Sequence, residues 1–151
     1  MQKRWLNQYI PLVSGRSDLI LNETREGFRA EAMARFRNSL LASREVFVEI
    51  GSGSGGHLLT RAHESPDALF VGFELRYKRA FRTIEKAEQR GLSNIKLVRA
   101  DARFLFDLFE PERIGGIYIN FPDPWAKDRW KKHRLLNSAF LVQLAQYLRQ
   151  D

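Results

Sequence analysis

Glu45-Val46-Phe47-Val48-Glu49-Ile50-Gly51-Ser52-Gly53-Ser54-Gly55-Gly56 is an apolar strand pattern that runs directly into a glycine cluster. Valine, phenylalanine and isoleucine suit a pleated, buried surface, and a near-continuous apolar run marks a strand covered on both faces. Gly51, Gly53 and Gly56 fit the spacing G-x-G-x-x-G, in which residues without a Cβ let the backbone turn tightly and approach a ligand before a helix begins. Strand, glycine turn and helix form the first half of a βαβ unit, so this stretch predicts a parallel sheet with helices on its faces.

The pattern continues outward from there. Further strands are expected at Leu69 to Glu74, Asn94 to Arg99 and Gly116 to Asn120. Helices are expected from the glycine cluster to about His63, from Tyr77 to Arg90 with Gly91 closing it, from Ala102 to Phe109, and from Leu136 to Leu148. A ligand crevice lies where strand order reverses, which puts the first strand at the centre, the second and third on one side and the fourth on the other. Upstream, Phe28, Ala32, Met33 and Phe36 recur at helical spacing and predict an amphipathic helix over Glu23 to Ser39. Residues 1–21, with Pro11 and Gly15, show no clear period and read as an arm that packs on the domain or orders on a ligand. A sheet of this kind needs another strand to cover the edge of the fourth, and none follows the last helix before Asp151. The expectation is therefore a Rossmann-like, doubly wound, mainly parallel α/β domain at residues 45–151 that lacks its C-terminal strands, preceded by an N-terminal arm and helix at residues 1–44.

Composition narrows the function. With 151 residues and 44% apolar content the chain suits one globular domain. The net charge of +7, concentrated toward both ends, favours an anionic partner such as nucleic acid. There is no cysteine, which excludes disulfides, thiolate zinc sites and a cysteine nucleophile. His57, His63 and His133 show no ligand spacing, so no metal is expected. No apolar run approaches the roughly 20 residues that cross a bilayer, and the start has no signal-peptide pattern, so a cytoplasmic protein is expected.

Acids at strand ends describe a cofactor. Glu74 ends the second strand about 20 residues after the glycines, the position from which a carboxylate reaches ribose hydroxyls. Asp101, past the third strand, either accepts a hydrogen bond from an adenine amino group or caps the helix beginning at Ala102. Glu49 separates two classes of adenosine cofactor: a carboxylate beside the glycine turn repels a pyrophosphate, disfavouring NAD, but stabilises the ammonium and sulfonium of S-adenosylmethionine.

After the fourth strand comes Asn120-Phe121-Pro122-Asp123-Pro124-Trp125, and then Lys127, Arg129, Lys131, Lys132 and Arg134 within eight residues. Together with Glu49-Ile50-Gly51-Ser52-Gly53, Gly72-Phe73-Glu74, Asn94 and Ala100-Asp101-Ala102, this order resembles the tRNA (guanine-7-N)-methyltransferases, a family of class I S-adenosylmethionine-dependent enzymes. The resemblance covers about residues 45–148, and Phe-Pro-Asp-Pro-Trp is its most specific part. It implies that Glu49, Gly51, Gly53, Glu74, Asp101, Ala102, Asn120 and Asp123 line the S-adenosylmethionine site, with Asp123 also the catalytic acid at the junction with substrate. It implies too that Lys127 contacts tRNA, and the phosphates suit Arg129, Lys131, Lys132 and Arg134 as well. The basic run departs from the family at Ala126, Asp128 and Trp130, the last a face on which a base can stack. Trp125 is equally a core anchor or a substrate contact. Members carry a further segment after the last helix that helps hold the guanine, and no stretch here matches it. The resemblance implies methyl transfer to the 7-nitrogen of a tRNA guanine by a monomer or homodimer, or by a chain with a partner. The alternatives are a non-catalytic S-adenosylmethionine- and RNA-binding subunit, and a methyltransferase acting on a protein or small molecule.

Overall fold

The computed structural model describes residues 7–16, 18–120 and 137–150. In chain order its elements are α1 (Tyr9–Ser14), β1 (Ile20–Asn22), α2 (Ala30–Ala42), β2 (Val46–Ile50), α3 (Gly56–Glu64), β3 (Leu69–Phe73), α4 (Tyr77–Gln89), β4 (Ile95–Arg99), a 3₁₀ turn (Ala102–Phe104), α5 (Leu105–Leu108), β5 (Gly116–Ile119) and α6 (Ser138–Ala145). The strands form one parallel sheet in the order β1-β4-β3-β2-β5. The expected neighbours of β2 and the reversal of order between β2 and β5 are both present, while β1, added beyond β4, makes β3 rather than β2 the middle strand.

Period-two alternation divides the core into two layers. Val46, Val48 and Ile50 of β2, with Leu69, Val71 and Phe73 of β3, pack with Phe36 and Leu40 of α2, Leu105 and Leu108 of α5, and Phe140 and Leu144 of α6. Phe70, Ile95 and Leu97 point the other way, among Leu58, Leu59 and Ala62 of α3 and Ala80, Ile84 and Ala87 of α4. Phe47 stacks on Phe70 in this second layer, with ring centroids 5.3 Å apart. Glu49 shares the parity of Phe47 and so lies on the α3 and α4 face of the sheet.

Two segments differ from their sequence reading. Residues expected as an irregular arm supply α1 and β1. Val13 is buried against the α4 layer, and β1 extends the sheet beyond β4 through Ile20, Leu21 and Asn22 opposite Leu97, Val98 and Arg99. Arg99 holds this strand: its Nε donates to Asn22 Oδ1 at 2.5 Å, Nη2 donates to the Glu23 carbonyl, and the guanidinium lies 4.2 Å from the Tyr77 ring centroid. The second difference is α2, which starts at Ala30 rather than Glu23. Gly27 has φ of 87°, outside the helical region, and exchanges backbone hydrogen bonds with Thr24 in a tight turn.

Past α6 the chain returns beside the segment before β5. Ile114 N–H donates to the Tyr147 carbonyl at 2.9 Å, and Arg149 N–H donates to the Ile114 carbonyl at 2.8 Å. The other ends of the crossovers are tied by Asn94, whose Nδ2 lies within 3.1 Å of the carbonyl oxygens of Ala62, Ser65 and Ala68. One amide thus satisfies the end of α3 and the approach to β3. Asn94→Ala leaves these acceptors without their donor and is expected to lower unfolding free energy by about 1–3 kcal/mol in a urea titration.

Candidate functional site

Backbone conformation builds the site first. Gly51, Gly53 and Gly55 have φ of 72°, 59° and 85°, all in the left-handed region that favours glycine. The amides of Gly51 and Ser52 both donate to the Phe73 carbonyl, at 3.0 and 3.1 Å, so the loop leaves β2 by folding over the end of β3. Glu74, 7% exposed, then fixes the loop: Oε2 accepts from Gly53 N–H at 2.9 Å and Oε1 from Arg76 N–H at 3.2 Å. From α4, the buried Thr83 hydroxyl approaches the Gly53 carbonyl at 3.3 Å, and Lys86 Nζ donates to the Ser54 carbonyl at 3.1 Å.

Above this loop lies a cleft of about 400 Å³ lined by Glu49, Ser52, Gly53, Ser54, Gly56, His57, Arg79 and Asn120. Glu49 is 1% exposed at the C-terminal end of β2. Its Oε2 lies 2.5 Å from His57 Nδ1, and its Oε1 is buried without a hydrogen-bond partner among the described residues. At that distance from a carboxylate, Nδ1 is the protonated ring nitrogen and donates. The Asn120 amide nitrogen stands 3.2 Å from the same ring nitrogen. Tyr118 meets the imidazole edge-on with centroids 5.0 Å apart, and its hydroxyl accepts from Arg61 Nη2 at 2.6 Å. Among the described residues the hydroxyl oxygen of Ser52 is also buried without a partner.

The expected site residues separate into three groups. Glu49, Gly53 and Asn120 line the cleft, and Gly51 makes the turn beneath it. Glu74 belongs to the same unit through Gly53, with its carboxylate engaged by backbone amides. Asp101 does not line the cleft. It caps the 3₁₀ turn, with Oδ1 accepting from Arg103 N–H at 2.8 Å and Oδ2 from Arg103 Nη1 at 2.9 Å, and Ala102 is buried beside it. Asp123, Lys127, Arg129, Lys131, Lys132 and Arg134 lie outside the described residues. His57, Ser52 and Arg79 escaped the sequence reading. The usable signal for His57 was its place in the first turn after the glycine loop, where a helix meets the crevice. Among the described residues no cluster of three or more histidine and acidic side chains suits a metal, and no helix is long and apolar enough to cross a membrane.

Residues 43–151 match the model of a protein family described as "Putative methyltransferase". The chain belongs to this family. It is 33% identical over 132 residues to the tRNA (guanine-N(7)-)-methyltransferase of Clostridioides difficile, a match covering 87% of this chain and 60% of that one. It is 40% identical over 94 residues to the enzyme of the same name from Myxococcus xanthus, covering 62% of this chain and 46% of that one. The chain thus spans roughly half the length of these relatives. Among solved structures, the 30S ribosomal A1408 methyltransferase from an uncultured bacterium superposes with a TM-score of 0.61 at 19% identity, over 83% of this chain and 60% of that one. That likeness is one of fold, the Rossmann-like architecture of class I methyltransferases.

The loop's geometry makes a direct test. A Cβ at Gly55 falls 2.5 Å from Thr83 Cγ2 and 2.7 Å from its Oγ1, at a positive φ. Gly55→Ala is expected to cost about 1–3 kcal/mol of stability by denaturant unfolding. Combining it with Thr83→Ala is expected to cost less than the sum of the two single changes, because the clash is shared.

Proposed function

We propose that this protein transfers a methyl group from S-adenosylmethionine to the 7-nitrogen of a guanine in tRNA. Glu49 carries the reading: a buried carboxylate beside a glycine loop, with one oxygen unpartnered among the described residues, fits a cationic cofactor and repels a diphosphate. The names of the relatives at 33–40% identity supply the acceptor. When bound, S-adenosylmethionine supplies a methyl group on a cationic sulfur.

In this reading residues 45–151 form the methyltransferase domain and residues 1–44 an N-terminal arm and helix that complete its sheet and core, working in the cytoplasm. Glu49 receives the cofactor's ammonium, while Gly51, Gly53 and the Ser52 hydroxyl give the backbone its close approach. Glu74 keeps the loop in that shape and offers its carboxylate edge to the ribose, and Asp101 with Ala102 borders the adenine. The 7-nitrogen of guanine has a free lone pair at neutral pH, so no group need remove a proton, and the protein's work is alignment. Asp123 opposes the positive charge that passes to the purine, and Asn120 lines the cofactor cleft. Lys127, Arg129, Lys131, Lys132 and Arg134 hold phosphates.

The deciding experiment incubates the protein with radiolabelled S-adenosylmethionine and unmodified tRNA, then cleaves the RNA at 7-methylguanosine. Label at a guanine that undergoes scission is expected; label elsewhere, or none, overturns the acceptor. Asp123→Ala is expected to lower turnover by about 100-fold or more with a smaller change in cofactor affinity. Affinity for tRNA is expected to fall steeply between 50 and 200 mM salt, about tenfold or more, as measured by filter binding.

A further inference from the structure

His57 has no part in the reading above, yet among the described residues it alone donates to the buried carboxylate at the centre of the cleft. Glu49 and His57 both line that cleft, the Nδ1 to Oε2 distance is 2.5 Å, and Oε1 remains buried and unpartnered among the described residues. The two side chains differ in access to water: the carboxylate side chain is buried and the imidazole 40% exposed. A carboxylate so enclosed has several orientations open to it unless one oxygen is tied. The imidazole ties one.

We propose that His57 is the positioning residue for the cationic end of the cofactor, pinning Oε2 of Glu49 so that Oε1 is left to accept an ammonium N–H. The proposal rests on the reading that S-adenosylmethionine occupies this cleft. Nδ1–H can hold the carboxylate in either charge state of the ring. Among the described residues, Tyr118 and Asn120, from β5 and its end, also meet the ring, Arg61 from α3 donates to the Tyr118 hydroxyl, and Arg79 from α4 lines the same cleft. The ring is thus held on several sides, and the carboxylate oxygen it grips is fixed with it.

Isothermal titration of the protein with S-adenosylmethionine, and separately with S-adenosylhomocysteine, which keeps the ammonium but has no sulfonium, tests this. His57→Asn keeps an amide donor near the place of Nδ1 and is expected to bind both ligands within about threefold of the unaltered protein. His57→Phe removes the donor and is expected to bind both about tenfold more weakly. Thermal melting of each variant separates a folding defect from a binding one, and the asparagine variant keeps the test sharp if the phenylalanine variant unfolds. His57→Phe binding as well as the unaltered protein, or His57→Asn melting normally yet losing as much affinity as expected of His57→Phe, overturns the role of His57 alone. Failure of the unaltered protein to bind either ligand overturns the cofactor reading and this inference with it.

Discussion

The parallel register that sets Glu49 opposite Gly72 on one side and Tyr118 on the other is the constraint on which the cleft depends. Side chains alternate along a strand, so these three residues share the face covered by α3 and α4. Gly72 leaves no room to spare, since a Cβ there would fall 2.9 Å from Leu58 Cδ2, Leu97 Cδ2 and Ser52 Oγ. Those atoms close the space beside the carboxylate on the β3 side, while Tyr118 and its Arg61 partner border His57 on the β5 side. A slip of one residue would turn Glu49 into the opposite layer, among apolar side chains such as Phe36, Leu105 and Phe140. The apolar residues flanking Glu49 in β2 therefore decide where its charge lies.

A carboxylate that is 1% exposed costs several kcal/mol of lost hydration unless it is partnered. His57 offsets part of that cost at one oxygen. Glu74, also buried, is compensated differently, by the backbone amides of Gly53 and Arg76. The two acids thus divide their work: one fixes the loop, the other is left with capacity for a further donor. Helix α4 couples them. Its apolar face of Ala80, Ile84 and Ala87 seats it on the sheet, and Thr83 and Lys86 on neighbouring positions reach the loop carbonyls. Core packing and loop shape are therefore set by one helix.

The four strands carrying the crevice, and their order, were legible in the sequence because strands buried on both faces have dense apolar runs and end in recognisable punctuation. Strand β1 was not, since Ile20, Leu21 and Asn22 are too few to show a period and are strand only because β4 offers an edge and Arg99 a clamp. The start of α2 was misplaced because Phe28 keeps helical spacing with Ala32 while Gly27 forbids the turn that would connect them. At the site, Glu49 and Glu74 were visible from their places at strand ends. Asp101 showed two faces in the sequence, and the structure displays the capping one. The pairing of His57 with Glu49 was missed because the two lie eight residues apart across a loop whose three positive-φ glycines reverse the chain, a geometry that no linear period encodes.

The remaining tension is between a chain of net charge +7 and a cleft whose deepest charge is negative. The two fields act over different distances. Exposed cations draw a polyanion across about one Debye length, roughly 8 Å at physiological salt, and salt screens that attraction. A carboxylate beneath the surface acts at contact, in a medium where water screens it less. A small cation can thus be selected at the floor of a basic surface without being repelled from it, provided that the acid is buried and its geometry held. In the proposed enzyme this separation lets one molecule bind a cationic donor and a polyanionic acceptor side by side, and it explains why Glu49 must be both enclosed by the sheet and tied by a side chain such as His57.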